Sequence, residues 1–239
     1  MPVKNAGLYL EGCLTSIQNQ SETNWELLAV NDNSTDNSLA ILTNFSSLDS
    51  RMQVLQNKGQ GIINALKTGY VKTTGELIHR MDADDLMPSE KLSLLKKELL
   101  RVGKGYVATG KVDYFAADGV NDGYLNYQNW LNNLCDKSTH WNELFKECVI
   151  ASPNWMLYRE DFERCGRFDS PIYPEDYDLV FRMYKAKLKV SSVKTVTHFW
   201  RDHDARSSRT DDNYAAYTFF EIKLTYFLEL EYDSNRPLV

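Results

Sequence analysis

Two acidic turns, NDNSTD at residues 31–36 and DADD at 82–85, each close a strand-length run and open onto a helix-periodic segment. The runs are WELLAVND (25–32), MQVLQ (52–56) and ELIHRM (76–81), and they read as strands. Around them apolar residues fall at helical spacing: Ala6, Tyr9, Leu10, Cys13, Leu14 and Ile17 first, then Ile62, Ala65, Leu66 and Tyr70. Leu92, Leu95, Leu99 and Val102 continue the pattern after DADD, in a helix that Pro88 and Ser89 are expected to start. Ser34 is expected to cap a helix running to about residue 47. Strands alternating with helices over residues 1–102 imply βαβ units, an α/β fold and a mostly parallel sheet. Ligands of such sheets bind outside the carboxyl ends of the strands, where both acidic turns fall.

The second half is less regular. YVATGKVDYFAADG (106–119) reads as a strand, GYLNYQNWLNNLCD (123–136) and HWNELFKE (140–147) as helices, and SPNWMLYRE (152–160) as strand or loop. PEDYDLVFRMYKAK (174–187) is expected to be a helix with Leu179, Val180, Met183 and Tyr184 facing inward. LKVSSVKTVTHFW (188–200) is strand-like, and residues 211–231 suit a final helix through Tyr214, Tyr217, Phe220, Leu224, Phe227 and Leu228. With no internal repeat or linker, residues 1–239 are expected to form one domain in two halves, 1–110 and 111–239.

Composition removes several classes of function. A net charge of -6 and the lack of a basic run argue against a nucleic-acid partner. Cys13, Cys135, Cys148 and Cys165 show no CxxC pairing, which suits packed, reduced thiols rather than a disulfide frame or zinc site. No stretch has the apolar length of a membrane span, and the opening residues lack the pattern of a signal peptide, so a cytoplasmic protein is expected. The sequence has no nucleophile elbow, Walker loop or GxGxxG.

Each acidic motif has two physical accounts. Asp82, Asp84 and Asp85 offer hard oxygen ligands for Mg²⁺ or Mn²⁺, yet a carboxylate ahead of a helix is also favoured by the helix dipole. NDNSTD suits Asx-turn chemistry, and equally places Asp32 at a strand end to accept a hydrogen bond from a base or ribose. In PEDYD, Glu175, Asp176 and Asp178 occupy a first helical turn, and one of them could serve as general base. HFWRDHDARSSR brings Arg201, Arg206 and Arg209, able to offset a pyrophosphate, together with His203, a candidate metal ligand or phosphate contact. Tyr127, Trp130, Trp141 and Trp155 suit either sugar stacking or core packing.

Taken in order, these segments resemble the family 2 glycosyltransferases, inverting enzymes of the GT-A fold. MPVKNAGLYLEGCLTSIQNQ is similar to that family's opening, WELLAVNDNSTDNS to its first acidic motif, and GIINALKTGYVKTTGELIHRMDADD to the approach and DxD motif. PEDYDLVFRM resembles the ED motif, and FWRDHDARSSR the basic segment that follows it. The resemblance implies a metal-dependent enzyme using Mg²⁺ or Mn²⁺ that moves one sugar from a nucleotide-sugar donor, UDP-sugar first, to a glycan, lipid-linked or protein acceptor. Asp176 would be the base, Asp32 would contact the nucleobase and Asp82 the ribose. Pro2, Val3, Asn5 and Arg201 would complete the nucleotide site. Asp84 and His203 would hold the metal, with Glu175, Ala83 and Asp85 in support.

The chain also departs from the family pattern. Lys4 stands where an aromatic residue is common, Asn31 replaces the first acid of the usual pair, and a strand of apolar residues usually precedes MPV. That first strand is therefore expected to be missing, and NRPLV (235–239) reads as an abrupt apolar tail. QxxRW, the mark of processive members, is absent, so single-sugar addition is expected, with peripheral association at the inner membrane face left open. A non-catalytic relative that binds nucleotide or carbohydrate, and a sugar nucleotidyltransferase, are the rival readings; the latter should carry a Gly-rich, Arg-containing loop that residues 1–20 lack.

Overall fold

The structure, a computed structural model, describes residues 1–234. Its first half alternates as the apolar runs require: β1 (Pro2–Val3), α1 (Gly7–Gln18), β2 (Leu27–Asn31), α2 (Ser38–Leu48), β3 (Met52–Gln56), α3 (Ile62–Tyr70), β4 (Leu77–His79) and α4 (Lys91–Val102). The second half holds β5 (Tyr106–Phe115), α5 (Asp122–Lys137), β6 (Trp155–Tyr158), α6 (Arg159–Arg164), α7 (Glu175–Lys185), β7 (Lys189–Arg201), the short α8 (Ser207–Thr210) and α9 (Ala216–Ser234). The NRPLV tail lies outside the described residues.

β1, β2 and β3 pair in parallel. The second sheet runs β4-β6-β5-β7, with β6 antiparallel to both neighbours and β5 parallel to β7. β1 has two residues, and among the described residues no ladder joins it to β4. A cavity of about 450 Å³ lies there, lined by Leu27, Leu28, Ile78 and Met81. One apolar cluster packs α1, α2 and α4 through Leu10, Leu14, Leu42, Leu95 and Leu99; another gathers Trp155, Phe162, Tyr177 and Phe181.

Several expectations are corrected. α2 begins at Ser38, because the Ser34 hydroxyl is engaged elsewhere, accepting from the Asn5 backbone N–H at 3.1 Å. Residues His140–Glu143 form a 3₁₀ turn rather than a helix through 147. Leu179, Val180 and Met183 are buried, but Tyr184 is exposed, and Tyr177 and Phe181 fill the core beside them. On α9, Ile222 and Tyr226 face the core, while Tyr217, Phe220, Leu224, Phe227 and Leu228 point outward. All four cysteines are free and buried.

β5 and β7 run together over ten registered pairs, broken by a bulge at Gly110–Lys111. Gly110 is required there, since a Cβ would collide with the Thr197 side chain. This long ladder carries the carboxyl end of β7 to the mouth of β4. Leu86, just after DADD, closes the junction by pairing with Phe199, its N–H donating to the Phe199 carbonyl at 3.1 Å and its carbonyl accepting at 3.0 Å.

Candidate active site

A cleft of about 990 Å³ opens where β1, β2, β4 and β7 end. Strand ends release backbone that no ladder satisfies, so the side chains that follow are free to converge. Asp32, Asp82, Ala83, Asp84, His203, Glu175 and Asp176 all line this one space.

At its centre a buried arginine organises the acids. Arg80, next to β4, donates from Nε to Asp82 Oδ1 at 3.1 Å and from Nη1 to Glu175 Oε1 at 3.0 Å. Burial alone would lower its pKa, but the charges of Asp82, Glu175 and Asp176 outweigh that and raise it. Glu175 Oε2 accepts from the Tyr214 hydroxyl at 2.7 Å, so both of its oxygens are engaged. Asp176 differs. Among the described residues its one hydrogen bond is accepted by Oδ1 from the Tyr177 backbone N–H at 2.8 Å; Oδ2 has none, and the residue lines the cleft. Burial, then the charge of Glu175, pushes its pKa up to about 7, against the pull of Arg80. A carboxylate with an open oxygen and a pKa near neutrality can take up a proton at physiological pH.

Beside it, Asp84 Oδ2 and His203 Nε2 are 2.9 Å apart. Burial would raise the Asp84 carboxyl, but the hydrogen bond with His203, a backbone hydrogen bond and the charges of His203 and Arg206 together outweigh it and hold the pKa below the ordinary carboxylate value. His203 Nδ1 is buried without a hydrogen-bond partner among the described residues. The two facing atoms, Asp84 Oδ2 and His203 Nε2, are an oxygen and a nitrogen donor that could share Mg²⁺ or Mn²⁺ in place of the hydrogen bond between them. Among the described residues no group of three or more His, Cys, Asp or Glu forms a full cage, so such an ion would draw its other ligands from phosphate or water.

Asp85 faces away from the cleft. Its Oδ2 meets His198 Nε2 at 2.9 Å and its Oδ1 accepts from the Arg201 backbone N–H at 2.8 Å. Arg201 likewise stands behind the acidic loop: its Nε donates to the Asp84 carbonyl at 2.6 Å and its guanidinium stacks on Tyr9 and Phe115. Arg209 pairs with Asp202 and Asp204. Of the three arginines in that segment it is Arg206 that lines the cleft, packed against Tyr114, Tyr124 and Trp200.

The opposite end is built by β1 and β2. Asp32 Oδ1 accepts from Asn57 Nδ2 at 2.6 Å and Oδ2 from the Gly61 N–H at 3.0 Å. Gly61 has φ +84, a conformation that side chains resist, and this presents its N–H to the carboxylate. Asn5 Oδ1 accepts from the Thr35 N–H at 2.8 Å, and Pro2 and Val3 form the adjoining wall. Asn31 bonds Gln56 across β2–β3 and accepts from the Ser34 N–H, so it serves the turn. Tyr127 reaches the cleft; Trp155 is core, and Trp130 and Trp141 pack against it.

Sequence reading passed over Arg80, Lys91, His198 and Tyr214. Arg80 had a visible signal, a cation two residues from three aspartates. The others had none, because contacts across about 40 to 120 residues leave no local pattern.

Comparison with known proteins follows the same lines. The family model described as Glycosyl transferase family 2 matches residues 1–166. A UDP-Glc:alpha-D-GlcNAc-diphosphoundecaprenol beta-1,3-glucosyltransferase of Escherichia coli, WfgD, is 27% identical over 193 residues, 77% of this chain and 68% of that one. Three other curated relatives are longer, and the chain spans 55%, 31% and 59% of their lengths. Among solved structures, S. aureus TarS 1-349 in complex with UDP-GlcNAc superposes with a TM-score of 0.70 at 16% identity, covering 100% of this chain and 66% of that one. The mannosyltransferase PcManGT from Pyrobaculum calidifontis, in complex with GDP-Man and Mn2+, gives 0.66 at 18% identity, covering 99% and 64%. At such identities the structural likeness establishes the fold, an α/β sheet of GT-A type flanked by helices.

Proposed function

The chain belongs to glycosyl transferase family 2, and from that premise we propose that it moves one sugar from a nucleotide-sugar donor, a UDP-sugar first, to an acceptor hydroxyl with inversion at the anomeric carbon. The observation that carries this reading is Asp176: a carboxylate with an open oxygen, its pKa near 7, sharing one cleft with Asp84 and His203. In the reaction Asp176 takes the proton of the acceptor hydroxyl. The acceptor oxygen bonds to the anomeric carbon, and the bond from that carbon to the diphosphate oxygen breaks, its electron pair leaving with the nucleoside diphosphate. A single displacement of this kind inverts the centre.

Asp32, with Pro2, Val3 and Asn5, is assigned to the base and Asp82 to the ribose. Asp84 and His203 would hold Mn²⁺ or Mg²⁺, which supplies charge stabilisation for the departing diphosphate. Arg80 keeps Asp82 and Glu175 in place, leaving Asp176 as the carboxylate free to act. The glucosyltransferase relative, whose name specifies a diphosphoundecaprenol acceptor, supports a lipid-linked glycan as the first acceptor to try. No helix among the described residues is long and apolar enough to cross a membrane, so such an acceptor would be met at a surface.

Calorimetric titration of UDP with Mn²⁺, then with EDTA, tests the site; a screen of UDP-sugars against lipid-linked acceptors tests the transfer. Metal-stimulated UDP binding and an inverted product are expected. A retained configuration would overturn the assignment of Asp176 as base.

A further inference from the structure

Lys91 is the first residue of α4 and is wholly buried. Two effects oppose an ammonium there: loss of water, and the positive end of the helix dipole. A methionine would fill the same space without either penalty, so core packing does not account for a charge at this point. Its bonds do. Nζ donates to the Pro153 carbonyl at 2.6 Å and to His198 Nδ1 at 2.9 Å. Burial lowers the Lys91 pKa to about 7; with the amine as donor, His198 Nδ1 accepts and the ring proton stands on Nε2, facing Asp85 Oδ2 at 2.9 Å. Asp85 Oδ1 in turn holds the Arg201 N–H, and Arg201 Nε holds the Asp84 carbonyl. A buried row thus runs from α4 through β7 to the acidic loop, and ends on the backbone of the residue assigned to the metal.

We propose that Lys91 is a positioning residue for the metal site: through His198 and Asp85 it fixes the turn that aims the Asp84 carboxylate into the cleft. The inference rests on the assignment of Asp84 as metal ligand. Side chains that orient a ligand without touching the ion typically change metal affinity by about 10–100-fold when removed.

The test measures Mn²⁺ affinity in the presence of saturating UDP, from the paramagnetic signal of free Mn²⁺, beside uridine affinity in EDTA. Wild type is compared with Lys91→Met and with His198→Phe, which fills a similar ring volume but neither accepts from Lys91 nor donates to Asp85. Mn²⁺ binding at least tenfold weaker in both, with uridine binding within twofold of wild type, is the expected result. Mn²⁺ affinity within twofold of wild type in either folded variant overturns the role of Lys91 alone. Wild-type protein that binds uridine but no Mn²⁺ overturns the metal assignment, and this inference with it. The ¹⁵N spectrum of wild-type His198 decides the geometry without any variant: a neutral ring protonated at Nε2 is expected, and a proton on Nδ1 overturns the proposal.

Discussion

Arg80 Nη1 stands 3.0 Å from Glu175 Oε1 in the buried wall of the cleft, and this ion pair divides the duties of two adjacent acids. Glu175 is committed to Arg80 and Tyr214, whereas Asp176, one residue on, keeps an oxygen open to the cleft. Substituting the pair separately should therefore give different phenotypes. Asp176→Asn should lower kcat by roughly 10²–10⁴ with little change in UDP affinity. Glu175→Gln should lower stability by about 3–5 kcal/mol, since it leaves a buried guanidinium short of charge. Steady-state kinetics and urea denaturation of both variants decide it; full turnover by Asp176→Asn would remove the base from this position.

The pKa of Asp176 sets a pH signature. Its carboxyl is raised in the folded state from an ordinary 3.8 to about 7. A raised carboxylate pKa means that the fold holds the proton more tightly than the unfolded chain does. The stabilisation is complete below about pH 4 and is lost as pH rises toward and through 7. A general base works only when deprotonated, so with Asp176 in the proposed role kcat should climb with pH over the upper part of that same window. Relative to wild type, Asp176→Asn should gain stability between pH 4 and pH 8, because it has no proton to lose. Paired melting curves at those two pH values check the sign, and an unchanged difference would place the pKa elsewhere.

The strand–helix alternation was legible because buried strands and amphipathic helices have different apolar periods, and both acidic turns stood out where those periods change. β6 was harder to read. Trp155–Tyr158 is four residues long, and its antiparallel insertion between β4 and β5 follows from the tertiary pairing of Leu77 with Tyr158. The cleft acids were visible as motifs, but the division between Glu175 and Asp176 depends on Arg80 and Tyr214, which approach from 95 and 39 residues away. The buried Lys91 carried no local signal, since a lysine near a helix start ordinarily reads as solvated surface.

Asp84 and His203 should behave as one unit toward metal. Replacing either by Ala should abolish the Mn²⁺-stimulated part of UDP binding while leaving the weaker binding seen in EDTA. Asp84→Ala frees His203 from its partner, and His203→Ala removes both the imidazole and the hydrogen bond that holds Asp84 ionised. Calorimetry with and without EDTA measures both parts. Metal stimulation that survives both substitutions would locate the ion at other residues.

Asp32 ties the β1–β2 end of the cleft together, accepting from Asn57 and Gly61. Asp32→Ala takes the acceptor from the Gly61 N–H and leaves the buried Asn57 amide only its long bond to the Gly61 carbonyl, and should lower stability by about 1–3 kcal/mol. It should also weaken uridine binding, which Asp84→Ala should not. Gly61→Ala acts through backbone alone: with φ at +84, a Cβ brings strain of about 1 kcal/mol or more while Asp32 stays in place. Uridine affinity and urea midpoints for the three variants separate contact from strain, and equal uridine binding by Asp32→Ala would remove Asp32 from the base site.

The last helix was assigned by its period but not by its face. Tyr217, Phe220, Leu224, Phe227 and Leu228 carry the period, yet these side chains are exposed, and the core contact is made by Ile222 and Tyr226. Tyr226 stacks on Phe181 at 4.4 Å and donates its hydroxyl to Asp178 Oδ1 at 2.6 Å. A chain apolar on two faces of one helix cannot be oriented from hydrophobicity, because either stripe would serve as the buried one. Packing decides, and stability reports the decision. Leu224→Ser and Leu228→Ser should each change unfolding free energy by no more than about 0.5 kcal/mol. Tyr226→Ala, which opens a cavity beside Phe181 and leaves Asp178 short of a donor, should cost about 3–5 kcal/mol. Urea denaturation of the three variants tests the orientation. A reversal of these costs would mean that α9 is turned about its axis by roughly half a revolution, with the outward row serving as the core face.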